Sequence, residues 1–412
     1  MRFLYTLSVV FYGLAIRVAS LFNGKAKLWI RGRAAWQQEM ATKLGSRTGW
    51  LWMHCASLGE FEQGRPILEE IKRQHPQQLI LLTFYSPSGY EIRKNWAGAD
   101  AITYLPLDTP RNVSKLVQMI NPIAVIFVKY EFWYNLLFEL KYRHVPTILV
   151  SGVFRSDQLF FRTYGKFARR AMQAFQRVFV QDEQSAELAR QLTLDVEVAG
   201  DSRFDRVLEI VSQEGIDDLE VFCKDSRVVM VGSSWQAEEE AMKQFVVDPR
   251  KPGDVKVVLV PHEVGADKMQ RLQQSIPGSV LLSVYDRTSS ADVLIVDRIG
   301  YLSRAYRYCT IAVLGGGFGK GIHNLLEAAV YGKPVVFGPK HQKFHEAGGL
   351  IAAGGGFSVQ DASALNDMLI RMLSREDALR AAGEAAEEYV SNHAGATQKV
   401  MNYLSERQLI KS

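Results

Sequence analysis

"VLGGGFGKGIHNLLEAAVYGKPVVFGP", residues 313–339, runs from an apolar strand through a glycine-dense loop and a helical stretch into a second apolar strand. That order is the repeating unit of a parallel sheet, whose strands are buried on both faces and read as continuous apolar runs. Gly315, Gly316 and Gly317 close the strand, Gly319 and Gly321 continue the loop, and a helix is predicted to begin near His323. Glycines let a backbone approach a ligand closely, and amides at a helix N-terminus attract phosphate. Asn324 and Glu327 stand three apart, His323 and Glu327 four apart, so a helix would set them on one face. A carboxylate there can accept from both hydroxyls of a ribose. The loop is neither a Walker A sequence, G-x-x-x-x-G-K-[ST], nor a GxGxxG opening a first βαβ unit. An ordinary glycine-rich turn with a helix cap is the competing reading.

The same rhythm fills the chain beyond residue 50. "LWMHCAS", "LILLTFYS", "ITYLPLD", "IAVIFVKYE", "TILVSGV", "RVFVQD" and "VEVAGD" read as strands, with helices over 61–74, 88–96 and 183–192 between them. A pause over 204–225 precedes a second set: "RVVMVGSS", "VKVVLVPHE", "VLLSVY", "DVLIVD", "IAVLGGG" and "PVVFGP". The prediction is an α/β protein of two doubly wound, Rossmann-like domains facing across a cleft. Ligands of such sheets bind beyond the carboxyl ends of strands, so residues that follow strands are the candidates.

Several do. In "HCASLGEFEQGRP", 54–66, Glu60 follows a strand and opens a helix. A first-turn Glu that complements the helix dipole explains it adequately, and a base role would need burial or a neighbour to oppose that dipole. "VKYEFWYN", 128–135, adds Glu131 beside aromatics that otherwise read as core. "GDSRFDRV", 200–207, places Arg203 after a strand, either as a phosphate-binding cation or in a surface ion pair. "LVPHEVG" adds His262 and Glu263. No DxD motif and no metal-ligand spacing occurs.

The 412 residues suggest two domains, and 47% apolar with 23% charged residues is ordinary globular composition. Three scattered cysteines, Cys55, Cys223 and Cys309, argue against a disulfide framework or zinc site and for a reducing compartment. Residues 1–50 hold eight Lys/Arg against one acid, Glu39, so this segment carries +7 where the whole chain carries +5, and the remainder is slightly acidic. It opens with the apolar run "FLYTLSVVFYGLAI", 3–16. The run falls short of the ~20 residues that span a bilayer, and its flanks suit a signal peptide poorly. An apolar helix followed by cations fits an anchor on an anionic leaflet; a core helix with a solvated basic tail is the alternative. Nothing reads as a nucleic-acid motif.

Together these motifs resemble the transferases of Gram-negative bacteria that attach 3-deoxy-D-manno-octulosonic acid (Kdo) to lipid A precursor. The resemblance covers nearly the whole chain and rests on "SLGE" (57–60), "YLPLDTP" (104–110), "EFWYN" (131–135), "GDSRFD" (200–205) and "HNLLEAAVYGKPVVFGP" (323–339) in that order, behind the apolar and basic N-terminus. It implies a GT-B fold and an inverting, metal-free, cofactor-free transfer from CMP-Kdo to lipid IVA at the cytoplasmic face of the inner membrane. By resemblance, Glu60 is the general base, and Glu131 and Arg203 support the transition state. CMP is held by Pro261, His262, Ile299, Gly300, Tyr301, Gly316, Gly317, His323, Asn324, Leu325, Leu326 and Glu327, with Glu327 on the ribose. Arg31 and Arg33 face bilayer or acceptor phosphates. Domain bounds follow: a membrane-associating segment 1–35, an acceptor domain 36–205, a linker 206–225 and a donor domain 226–412 whose last helix packs back on the first.

This chain departs from the family pattern at four places. Pro261-His262 replaces a common Pro-Arg, Phe132 and Tyr134 replace Leu and Pro, Arg203 replaces Lys, and Tyr301 replaces Glu. Two other functions compete: a GT-B enzyme with a UDP-sugar donor, and a silent membrane-associated nucleotide-binding scaffold, which would have no need of Glu60.

Overall fold

A computed structural model describes residues 1–130, 132–287 and 289–410. The chain forms two compact units, one of Met1–Asp205 with the chain from Ala394 onward, the other of Arg206–His393.

The first unit is built on seven parallel strands: β1 (Leu51–Cys55), β2 (Ile80–Phe84), β3 (Ala101–Tyr104), β4 (Ala124–Val128), β5 (Thr147–Gly152), β6 (Arg177–Val180) and β7 (Val196–Val198). Their order is β3-β2-β1-β4-β5-β6-β7, with Leu51 of β1 opposite both Ile80 and Ala124. Alternate residues of β1 feed opposite layers. Trp50 and Trp52 join Trp36, Phe127 and Leu149 on one face, while Leu51, Met53 and Cys55 join Phe61, Ile126 and Val150 on the other. Burial on both faces explains why the strands read as unbroken apolar runs. The chain moves outward from β1 to β3 and then returns to the far side of β1 with β4. That reversal opens a crevice at the carboxyl ends of β1 and β4.

Three helices precede the sheet: α1 (Arg2–Ala19), α2 (Gly24–Arg31) and α3 (Trp36–Leu44). α1 is seated on its own unit by polar contacts. The Tyr5 hydroxyl donates to Asp108 (2.6 Å), Arg2 Nε donates to Asn135 Oδ1 (2.9 Å), and Asn135 Nδ2 donates to Thr6 Oγ1 (3.0 Å). Its other side is bare, with Phe3 75%, Phe11 61% and Val18 63% exposed. By length and composition α1 is the one helix among the described residues able to cross a membrane.

Helix α4 (Leu58–Gln74) follows β1 and buries Phe61, Ile67, Leu68 and Ile71. It lies close to the sheet because Gly64 has no side chain; a Cβ there would sit 2.6 Å from Met53 Sδ. Late in the chain, helix Ala396–Glu406 joins the same layer through Val400, Met401 and Leu404. Asp205 secures it by accepting the amides of Gly395 (2.5 Å) and Thr397 (2.7 Å).

The second unit repeats the plan with β8 (Arg227–Ser234), β9 (Val255–Pro261), β10 (Ser279–Leu281), β11 (Val293–Ile295), β12 (Ile311–Leu314), β13 (Val335–Phe337) and β14 (Gly356–Ser358). All are parallel, in the order β10-β11-β9-β8-β12-β13-β14, and the reversal falls between β8 and β12. Local readings shift at several places. The strand expected over 280–285 stops at Leu281, and a 3₁₀ turn, Leu282–Val284, follows where Asp297 takes the Ser283 amide (3.1 Å). The helix expected near His323 begins at Leu326 and covers only Leu326–Ala329, because Asn324 Oδ1 takes the Leu326 amide (3.2 Å) and stands ahead of the first turn. His323 and Glu327 therefore do not share a helix face. Residues 206–225 hold the rest of helix Arg203–Val211 and helix Asp217–Cys223.

Candidate active site

The crevice of the first unit is lined from the ends of its central strands. Ser57, in extended conformation, turns β1 into α4, so Glu60 falls in the first helical turn. Its carboxylate folds back on the strand it has just left and accepts the amide of Ala56 at 2.5 Å. At 4% exposure Glu60 is a core residue of the crevice wall, not a solvated helix-start acid. The burial that a base role requires at a helix N-terminus is therefore present.

His54, wholly buried on β1, joins this wall to the segment after β4. Its Nε2 accepts from Trp133 Nε1 (2.9 Å), so Nδ1 carries the proton and donates to Thr83 Oγ1 (2.9 Å), which also accepts from Trp52 Nε1 (2.8 Å). Burial pushes His54 down to about 3, and it stays neutral. Trp133 also lies against Tyr85, ring centroids 4.3 Å apart, and Phe132 packs among Phe154, Phe160 and Phe175. Glu131 lies outside the described residues.

Beyond β7, Asp201 grips Arg203 and also accepts from Gln63 (2.9 Å) and Gln181 (3.0 Å), which ties the cation to α4 and to the end of β6. Of the two N-terminal arginines, Arg31 is exposed. Arg33 points inward instead, donating to the carbonyls of Leu105 (2.8 Å), Trp29 (3.2 Å) and Tyr85 (2.6 Å). Its guanidinium lies over the rings of Trp29, Tyr85 and Tyr104. Burial lowers it to about 10. It is a buried residue whose guanidinium is turned to the protein's own carbonyls and rings.

In the second unit, residues after β8, β9 and β12 converge. Trp235, directly after β8, stacks on His262 (4.5 Å between ring centroids), and His262 lies 4.8 Å from His323. Trp235 Nε1 donates to His323 Nε2 at 3.3 Å. Burial, then neighbouring His262, holds His323 below the usual imidazole range. Glu238, fully buried, accepts the amides of Gly316 (2.9 Å) and Trp235 (3.1 Å), which fixes the glycine loop against β8. Gly316 adopts a φ of +86°, and a Cβ on Gly317 would meet the Gly338 nitrogen at 2.4 Å, so this tight loop requires glycine at both positions. A pocket of about 510 Å³ lies here, lined by Trp235, Glu238, Gly316, Phe318 and Lys320. Glu327 accepts from Asn324 Nδ2 (3.1 Å); burial raises its carboxyl while Asn324 and Arg206 oppose the rise.

Leu325 and Leu326 are buried, and so is Pro261 at the end of β9. Ile299, Gly300 and Tyr301 follow β11, with Ile299 85% exposed and the Tyr301 hydroxyl 3.3 Å from Arg298 Nη1. No hydrogen bond or ring contact among the described residues ties these three to the Trp235 stack. Trp235, Lys320, Asp201 and His54 escaped the sequence reading. Trp235 and His54 carried the signal that counted elsewhere, a polar or aromatic residue at a strand end; Asp201 is a buried acid two residues before a singled-out cation.

Comparisons with known proteins agree with this plan. The family model described as 3-deoxy-D-manno-octulosonic-acid transferase matches residues 30–206. A 3-deoxy-D-manno-octulosonic acid transferase of Aquifex aeolicus is 30% identical over 331 residues, 79% of this chain and 86% of that protein. One from Bordetella pertussis is 27% identical over 380 residues, 86% of this chain and 87% of its own. Among solved structures, UDP-GlcNAc 2-epimerase from Neisseria meningitidis aligns with a TM-score of 0.61 at 13% identity, over 87% of this chain and all of its own. MurG of Acinetobacter baumannii aligns with a TM-score of 0.55 at 12% identity over the same shares. These likenesses identify the fold as GT-B.

Proposed function

Because this chain belongs to the 3-deoxy-D-manno-octulosonic acid transferase family, and so is a glycosyltransferase of lipopolysaccharide synthesis, we propose that it moves Kdo from CMP-Kdo to lipid IVA with inversion. An acceptor hydroxyl attacks the anomeric carbon, the bond to the CMP phosphate oxygen breaks, and the hydroxyl proton passes to Glu60. The observation that carries this is the Glu60 carboxylate, buried at the carboxyl end of β1 and aimed by the Ala56 amide. A base held there by its own strand suffers little loss of orientation as the proton moves.

Charge develops on the departing phosphate, and Arg203, pre-set by Asp201, is the cation assigned to it, with Glu131 in a supporting role. The donor nucleotide lies on the Gly316–Gly317 loop against Trp235, His262 and His323. Glu327 accepts from the ribose hydroxyls, and Pro261, Ile299, Gly300, Tyr301, Asn324, Leu325 and Leu326 complete the donor contacts. The exposed apolar side of α1, with Arg17, Lys25, Lys27 and Arg31, supports attachment to the cytoplasmic leaflet of the inner membrane, where a lipid acceptor resides.

The test is transfer from CMP-Kdo to tetraacylated precursor, read by mass spectrometry, with Glu60→Gln alongside. Product from the native protein and almost none from the folded variant is the expected result. CMP binding without product would refute the acceptor; UDP binding without CMP binding would refute the donor.

A further inference from the structure

Between α1, α2 and the segment after β3 lies a groove of about 570 Å³, a volume typical of ligand sites. Val10 and Leu14 of α1, Ile30 of α2, Trp36 and Leu107 make it apolar, and Arg17 is its exposed cation. Gly13 lets α1 approach Leu107 at its base; a Cβ would stand 2.7 Å from Leu107 Cδ1. Val10 and Leu14 are 40% and 46% exposed, so the groove is open to an entering chain.

We propose that this groove binds an acyl chain of the lipid acceptor, a subsite that rests on the transferase reading above and refines it. Position argues for the acceptor over a passing bilayer lipid. Arg33 lines the groove and donates to Leu105, after β3, and to Tyr85, after β2. The next residue, Ser86, donates its amide to Ala56 (2.7 Å), and Ala56 donates to Glu60. The groove therefore lies at the carboxyl edge that also carries Glu60, beside β3, which stands two strands from β1, or about 10 Å at ordinary strand spacing. An acyl chain seated there brings its headgroup sugar toward the base.

Charge agrees. No Asp or Glu precedes Glu39, while Arg17, Lys25, Lys27 and Arg31 are exposed on the two helices that frame the groove. A phosphorylated amphiphile matches both features, with chain in the groove and phosphate against these cations.

Leu14→Trp and Val10→Trp fill the groove from α1 at partly exposed positions, without touching the strand ends that carry Glu60. Steady-state transfer is measured with tetraacylated precursor and with its fully deacylated, water-soluble backbone. Partition to phosphatidylcholine–phosphatidylglycerol vesicles is measured beside it. The expected result is a fall of about tenfold in the kcat/KM ratio of acylated to deacylated acceptor, carried by KM, the scale of losing burial for two methylenes. Vesicle partition does not fall, because Trp is at least as well suited to a membrane interface as the residue it replaces. An unchanged ratio in both variants overturns the proposal, and so does a ratio that falls only in step with vesicle binding, which would mark the groove as a bilayer contact. If the native protein transfers Kdo to neither acceptor, the functional reading fails by itself. The groove is then judged by native mass spectrometry: one tetraacylated molecule retained by the native chain and lost from both variants upholds it, and equal retention overturns it.

Discussion

Asp201 holds Arg203 by three bonds: Oδ2 accepts from Nε (3.0 Å) and Nη2 (2.8 Å), and Oδ1 accepts the Arg203 backbone amide (2.9 Å). The same Oδ2 accepts from Gln63 and Gln181, so one buried carboxylate aims the cation and fixes its distance from α4. Asp201→Asn turns an acceptor into a donor facing donors. Transfer kcat is expected to fall by about 10- to 100-fold, because a misplaced cation loses its advantage over water. Stability is expected to fall by about 1–3 kcal/mol. Single-turnover kinetics and urea melts check the two effects.

Removing the carboxylate charge at Glu60 while keeping its shape separates chemistry from folding. Glu60→Gln is expected to lower kcat by about 10²- to 10⁴-fold with CMP affinity unchanged, the usual contribution of a positioned base. Calorimetric titration with CMP and a transfer assay on one preparation check both halves.

His54 sets a pH dependence whose sign is fixed by burial. Its folded value, about 3, lies below the ordinary 6.5, so the unfolded chain binds the extra proton. The associated stability is complete above about 6.5 and is lost as pH falls toward 3. Between pH 8 and pH 5 the loss is about 2 kcal/mol. His54→Gln, which can still accept from Trp133 and donate to Thr83, should lack this component. Denaturant melts of the two proteins at both pH values measure the difference.

Arg33 serves the first unit as a structural cation. Arg33→Met leaves the carbonyls of Leu105 and Tyr85 without their donor and removes a cation from three rings. A cost of about 2–4 kcal/mol is expected. Vesicle binding by the folded fraction should match the native protein, while Arg31→Glu should weaken it.

Trp235 carries the ring stack of the second unit. Trp235→Ala frees both His262 and His323, and CMP affinity is expected to drop about three- to tenfold, the worth of one well-placed aromatic contact. Titration calorimetry reads this directly.

Strands were the legible part of this molecule. Runs such as "IAVIFV" and "VVMV" admit few other environments than a sheet covered on both faces, and their ends located Glu60 and the glycine loop. What the sequence hid depended on side chains doubling back. Asn324 captures the Leu326 amide and delays a helix that i, i+4 spacing placed earlier. Arg33 and Arg31 stand two apart in one basic stretch, yet one is packed among Trp29, Tyr85 and Tyr104 and the other is exposed. Charge counting treats them alike because the rings that capture Arg33 come partly from residues more than fifty positions away. Trp235, the residue after a strand, takes its significance from two histidines on other loops, which nothing in its own neighbourhood announces.

Asp205 clasping Gly395 and Thr397 has a consequence for how the protein comes into being. The layer that α4 needs is finished by helix Ala396–Glu406, which a ribosome adds almost four hundred residues after the first. Through most of synthesis the earliest domain waits with one wall missing and with Val400, Met401 and Leu404 unmade, while the later domain, contiguous from Arg206 to His393, already has all its parts. The first half to be translated is the last to be completed.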